Sequence, residues 1–236
     1  MQKPLAKQIQ TIITDAYIFF TRHLKQIALV CAPFLFVASL FDFILAEAYK
    51  GTHLAIFAPL AVNLLIYPIY TAALIQLMAK RARQEQPTSS ELIIGAIQRW
   101  VPLLILKTIS VFLIGLGISM LIFPGIWLAI RLAFAEFHLV LFGVNPREAI
   151  QKSFEDTKKH LALVFMLLLM TYIPIFVAGL AADQLVQVFT SNDLFRIIVN
   201  TIWSLIGLFV HVVLFRAFMD VISEPEAPQP SPMTEE

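Results

Sequence analysis

The sequence predicts an all-α polytopic membrane protein with six transmembrane helices in three hairpins, amphipathic helices at one interface, and both ends in the cytoplasm. Three observations predict it. Of 236 residues, 59% are hydrophobic and only 14% charged, against about 45–50% and about 25% in soluble domains. Six apolar segments, at 27–48, 54–78, 101–123, 125–144, 161–182 and 197–219, each reach the length of about 20 residues that a spanning helix needs. Lys and Arg are also segregated. Of 17, 13 fall before odd-numbered spans or at the C-terminal end, and two, Lys50 and Arg196, fall on the opposite links. Positive charge marks the cytoplasmic side. Runs this long, without dyad alternation, exclude barrel strands. A net charge of +1 offers no global field for nucleic acid.

The elements follow in order. Ile9, Ile12, Ile13, Ala16, Tyr17 and Phe20 recur at helical spacing among Lys3, Lys7, Arg22 and Lys25, the pattern of an amphipathic helix lying in the interface. The first span ends in Ala46-Glu47-Ala48, which has the small-x-small form of a cleavage site. Its apolar run exceeds the roughly 7–15 residues of a signal h-region, so a membrane span is expected instead. Cys31 within it is expected to be a small buried apolar residue. Tyr49-Lys50-Gly51-Thr52 turns the chain into the second span.

Thr88 and Glu91 then form a capping-box start, and Leu92, Ile93, Ala96, Ile97 and Trp100 follow at helical spacing. Pro124-Gly125 is expected to turn the third span into the fourth. After it, Asn145 caps, Pro146 takes the first helical position and Glu148 completes the start of another helix. Ala149, Ile150, Phe154 and Thr157 share one face of it. The last outer link ends in a turn-like Ser191-Asn192-Asp193. Residues 1–222 are expected to form one membrane domain, and 223–236, rich in Pro and Glu, a disordered cytoplasmic tail. The order amphipathic helix, span, span occurs three times, a weak repeat; Phe20-Thr21-Arg22-His23-Leu24 and Asp156-Thr157-Lys158-Lys159-His160-Leu161 play similar parts.

Ionisable residues inside spans are the default functional candidates, because each is expensive unless paired. They are Asp42, Lys107, Arg131, Glu136, His138 and His211, with Asn63 and Asn200 as polar neighbours. Placed by depth along straight helices, Asp42 and Arg131 both lie about 10 Å below the outer face, and Lys107 and Glu136 about 9–12 Å from the inner face. Two pairs follow, Asp42–Arg131 and Lys107–Glu136, either structural ties or a substrate or proton path. Gly125, Ala129 and Ala133 recur every four residues, which lets helices approach closely. Glu136 continues that face, while Arg131 and His138 share another. Pro33, Pro59, Pro68 and Pro174 interrupt spans, and Trp100 and Trp127 stand where belt residues belong. No catalytic motif, metal spacing or cofactor signature is present.

The run Pro124-Gly125-Ile126-Trp127-Leu128-Ala129-Ile130-Arg131-Leu132-Ala133-Phe134-Ala135, followed by Ala149-Ile150-Gln151-Lys152-Ser153 and a basic approach to the next span, resembles the YciC-type bacterial inner-membrane proteins. It also resembles the related membrane domain attached to some glycerophosphoryl diester phosphodiesterases. Leu214-Phe215-Arg216-Ala217-Phe218-Met219 is similar to the YciC-type ending. The resemblance implies a six-span protein of the bacterial inner membrane and carries over no catalytic residues. The chain departs from members with a long loop after the first span. The expected function is non-enzymatic, in membrane or envelope organisation, with membrane lipids as partners and a protein partner or second copy left open. The alternative is a transporter or channel for a small or lipidic solute.

Overall fold

The structure, a computed structural model, describes residues 4–189 and 192–223, apart from the side chains of Ile56 and Gln187. The expected tail after Ser223 and the first residue of the Ser191-Asn192-Asp193 turn lie outside the described residues. Among the described residues there is no strand, and six helical stretches are long and apolar enough to cross a membrane.

Helix α1 (Leu5–Ala48) is a single helix of 44 residues, about 66 Å long at 1.5 Å per residue. A separate amphipathic helix ahead of the first span was the expectation. The chain instead continues unbroken through Thr21–Lys25, where neither Gly nor Pro interrupts the helical pattern. One buried stripe runs its length: Ile9, Ile12, Ala16, Phe20, Ile27, Val30, Cys31, Leu35 and Ala38. The N-terminal part of this stripe packs on protein rather than lying open to acyl chains.

Helix α2 (Leu54–Ala82) returns antiparallel to α1 and contains Pro59 and Pro68. Helix α3 (Ser89–Gln98) begins with the expected capping box, Thr88 accepting from the Glu91 N–H and Glu91 reaching back. Its Leu92 and Ala96 are buried while Ile94 and Ile97 face outward. Arg99 alone separates it from α4 (Trp100–Met120).

The chain reverses at Leu121, between α4 and α5 (Ile122–Leu132). This is earlier than the expected Pro124-Gly125 turn, because Pro is tolerated in the first turn of a helix, where its missing N–H has no intrahelical partner. Gly125 does serve close approach. A Cβ on Gly117 of α4 would lie 2.8 Å from the Gly125 Cα, so the two backbones touch.

The fourth apolar segment is broken. Helix α5 stops at Leu132, and α6 (Ala135–Phe142) starts after Ala133-Phe134. The break is held by Ser153 of α7 (Pro146–Lys158). Its hydroxyl donates to the Arg131 carbonyl at 2.6 Å and accepts the Phe134 N–H at 3.1 Å. Two backbone groups that a straight helix would pair internally are satisfied from outside it. Gly143, at φ +68°, ends α6 in the left-handed conformation that favours Gly. Asn145 then caps α7, with Pro146 at its first position. Ala149, Ser153 and Thr157 of α7 are buried against the bundle. So α7, like α3, is docked by a row of small or apolar residues and not simply laid on the interface.

Helix α8 (Leu161–Phe189) is followed by α9 (Asp193–Gly207), capped by Asn192, and α10 (Phe209–Ser223). Phe134 and Phe137 pack edge-on or tilted against Phe215 and Phe218 of α10, with ring centroids 5.3–5.9 Å apart. This aromatic cluster joins the middle of the chain to its end.

Candidate functional site

Four helices bring one titratable residue each to the same place. The Lys107 ammonium of α4 donates to Glu136 Oε1 of α6 at 3.0 Å. The Tyr67 hydroxyl of α2 lies 2.8 Å from Glu136 Oε2 and 2.9 Å from His211 Nε2 of α10. Lys107 also sits 3.9 Å above the centre of the Tyr67 ring.

Proton accounting orders these bonds. A phenol has one hydrogen and Glu136, ionised beside Lys107, can only accept. Tyr67 therefore donates to Glu136, and His211 Nε2–H donates to the Tyr67 oxygen. His211 Nδ1 is buried without a partner, which suits a neutral ring carrying its hydrogen on Nε2. The cluster is then one cation and one anion bridged by two neutral groups, with no net charge in an apolar setting. The expected Lys107–Glu136 pair is present. Tyr67 was missed, because a Tyr in an apolar run counts as hydrophobic. The Trp100 indole of α4 donates to the Leu65 carbonyl of α2 at 2.8 Å.

The expected Asp42–Arg131 pair does not form. Asp42 of α1 accepts from the Asn63 amide of α2, which also donates to the Pro59 carbonyl at 3.1 Å. The break after Leu132 carries Arg131 to α7. There its guanidinium stands 4.7 Å from the Phe154 ring centre and 5.5 Å from that of Trp127, and Nη1 is 3.4 Å from Thr157 Oγ1. Depth reckoned along a straight helix fails for a helix that is not continuous.

His138, also on α6, meets Asp156 of α7 at 2.7 Å through Nε2. It is thus a partnered interior residue on a different face from Glu136. Of the small-residue row, Gly125 is the close contact with Gly117, while Ala129 is half-buried and Ala133 packs at the edge of the core. Cys31 is buried with its thiol 3.7 Å from the Tyr70 carbonyl.

Further ties join the helices along the N-terminal half of α1. Arg216 of α10 donates to Asp15 at 2.7 Å, and Gln8 donates to Asp220 at 2.8 Å. Arg81 donates to Gln26 at 2.6 Å, and the Gln26 amide donates to the Pro87 carbonyl at 2.9 Å. At the opposite end, α1, α8 and α9 line an open-sided pocket of about 360 Å³ that includes Ser39, Phe43, Asp183, Arg196, Asn200 and Trp203. It does not include Asp42, Arg131 or Glu136. Among the described residues, no group of three His, Cys, Asp or Glu is placed to hold a metal ion. No family model matches the chain, and no solved structure matches it.

Proposed function

We propose that this is a non-enzymatic, multi-pass protein of a bacterial inner membrane, with both ends cytoplasmic, that organises the membrane or envelope around it. One observation carries the reading: the acidic side chains Glu136, Asp156 and Asp42 each have a partner within the bundle. Lys107 holds Glu136, Tyr67 bridges Glu136 to His211, His138 holds Asp156 and Asn63 holds Asp42. Groups matched in this way tie helices together and are not left poised toward a substrate. The distribution of Lys and Arg supports the orientation, and the likeness to YciC-type proteins supports the inner membrane. Lipids are the partners this surface fits, since long apolar helices are flanked by basic residues.

A transporter or channel is the second reading, favoured by the pocket between α1, α8 and α9 with its mixture of Asp183, Arg196 and Asn200 beside apolar walls. Two measurements separate the readings. Under the first, deleting the gene raises envelope permeability to a hydrophobic dye, and purified protein in proteoliposomes dissipates no imposed proton or solute gradient. Gradient-driven flux that Asn200→Ala or Arg196→Ala abolishes, at unchanged protein amount, would establish the second and overturn the first.

A further inference from the structure

The geometry points to the α4–α5 hairpin as a re-entrant wedge that enters the cytoplasmic leaflet and turns back inside the hydrocarbon, without crossing the bilayer. This rests on the orientation proposed above and names what the hairpin contacts: acyl chains of one leaflet.

Arg131, next to last in α5, touches Phe154 and Thr157 of α7 at the base of the hairpin. Helix α7 carries Arg147, Glu148, Lys152, Glu155, Asp156 and Lys158 in 13 residues, and a helix so charged does not lie in hydrocarbon. Lys158 and Lys159, the next residues after Thr157, are exposed. Arg131 therefore stands at headgroup level, on the face from which α8 sets out at Leu161.

Length then bounds the depth. From that level α5 has 11 residues before the turn, about 16 Å at most whatever its tilt. The hydrocarbon core is about 30 Å thick. Helix α8, leaving from the same level, has 29 residues, about 43 Å, enough to cross. Helix α4, with 21 residues, is long enough to span, but it shares its tip with α5, and the shorter arm limits how far the tip reaches. Trp127, five residues along from Ile122, already packs edge-on to Phe154 of α7, with ring centroids 5.9 Å apart.

The tip has the chemistry of a site that never meets water. Met120, Leu121, Ile122 and Phe123 are between 69% and 80% exposed, and no charged residue occurs between Lys107 and Arg131. The turn after α1 carries Lys50, Thr52 and His53, and the start of α9 carries Asn192 and Asp193. Backbone groups are costly in lipid. Here a single residue, Leu121, lies outside the helices, and Pro124 has no N–H to leave unpaired. The Gly117–Gly125 contact keeps the two arms together as a narrow wedge.

Single cysteines at Lys50→Cys, Leu121→Cys and Asn192→Cys, in a Cys31→Ala background, test this in intact spheroplasts and inside-out vesicles with a membrane-impermeant maleimide. The expected result is labelling of the Lys50 and Asn192 positions from outside. Labelling at the Leu121 position is expected below about a tenth of that from either side. A spin label there should relax with dissolved oxygen and not with a water-soluble nickel chelate. External labelling at Leu121 equal to that at Lys50 would mean the hairpin crosses, ending this inference while leaving the orientation intact. Internal labelling at Lys50 and Asn192 would overturn the orientation itself. As a check independent of cysteine chemistry, Ile122→Lys should sharply lower the amount of folded protein. Unchanged amounts would mean that the tip is in water, which also overturns the wedge.

Discussion

Neutralising Glu136 should unfold the bundle more readily, by an amount set by its partners. Glu136→Gln keeps a carbonyl oxygen for the Tyr67 hydroxyl but removes the charge that holds Lys107 at 3.0 Å. Breaking a fully buried pair from one side costs about 3–5 kcal/mol, because the remaining charge stays in the interior. Here the Lys107 and Glu136 side chains retain 26% and 16% exposure, and Lys107 still has the face of the Tyr67 ring. A loss of about 2–3 kcal/mol is therefore expected, equivalent to about a 30- to 140-fold shift in the folding equilibrium. Reversible denaturation in mixed micelles, followed by Trp fluorescence, measures it. Lys107→Met combined with Glu136→Gln removes both charges and should be more stable than the sum of the single losses predicts. Glu148→Gln on α7 removes an exposed partner of Lys152 and should change stability by less than about 0.5 kcal/mol. If Glu136→Gln matches wild type, or the double variant shows no coupling, the pair is not a tie and the reasoning fails.

Ser153→Ala leaves the Arg131 carbonyl and Phe134 N–H at the helix break without their partner. It should cost about 2–4 kcal/mol, with faster hydrogen exchange at the Phe134 amide; unchanged exchange would show that the hydroxyl does not hold the break. Asp156→Asn weakens the His138 contact between α6 and α7 and should cost about 1–2 kcal/mol, read as faster exchange along α7 with α8 unaffected. Gly117→Ala places a methyl 2.8 Å from the backbone of Gly125 and should destabilise by about 1–3 kcal/mol in a thermal melt. Gly115→Ala, where a methyl meets nothing within 4 Å, should be neutral or slightly stabilising.

The helical segments were legible because lipid imposes a long, simple pattern. The C-terminal end of α1 and the start of α2 fall where apolar runs meet Tyr49-Lys50-Gly51-Thr52, and the starts of α3 and α7 follow Thr88 and Asn145, whose caps are local chemistry. Lys107–Glu136 was legible for the same reason, since a tight hairpin brings residues at similar distances from its turn together. What escaped depended on partners distant in sequence. Nothing near residues 133–134 announces a break, because the group that stabilises it is Ser153, on a helix whose docking a single strand of text does not reveal. Arg131 was accordingly assigned to Asp42 when it belongs beside Thr157. The amphipathic faces of α1 and α3 were read as lipid-facing because their periodicity is the same whether lipid or protein covers them.

That last ambiguity has a temporal side. The part of α1 holding Ile9, Ile12, Ala16 and Phe20 is covered by α10, through Phe20 against Phe209, Asp15 against Arg216 and Gln8 against Asp220. The last two contacts join positions 201 and 212 residues apart. At about 5–20 residues per second of synthesis, the first helix waits on the order of 10–40 s for the last to emerge. Until then the stripe lacks the α10 side chains that cover it. The clasp between α1 and α10 therefore forms only after every helix between them has been made.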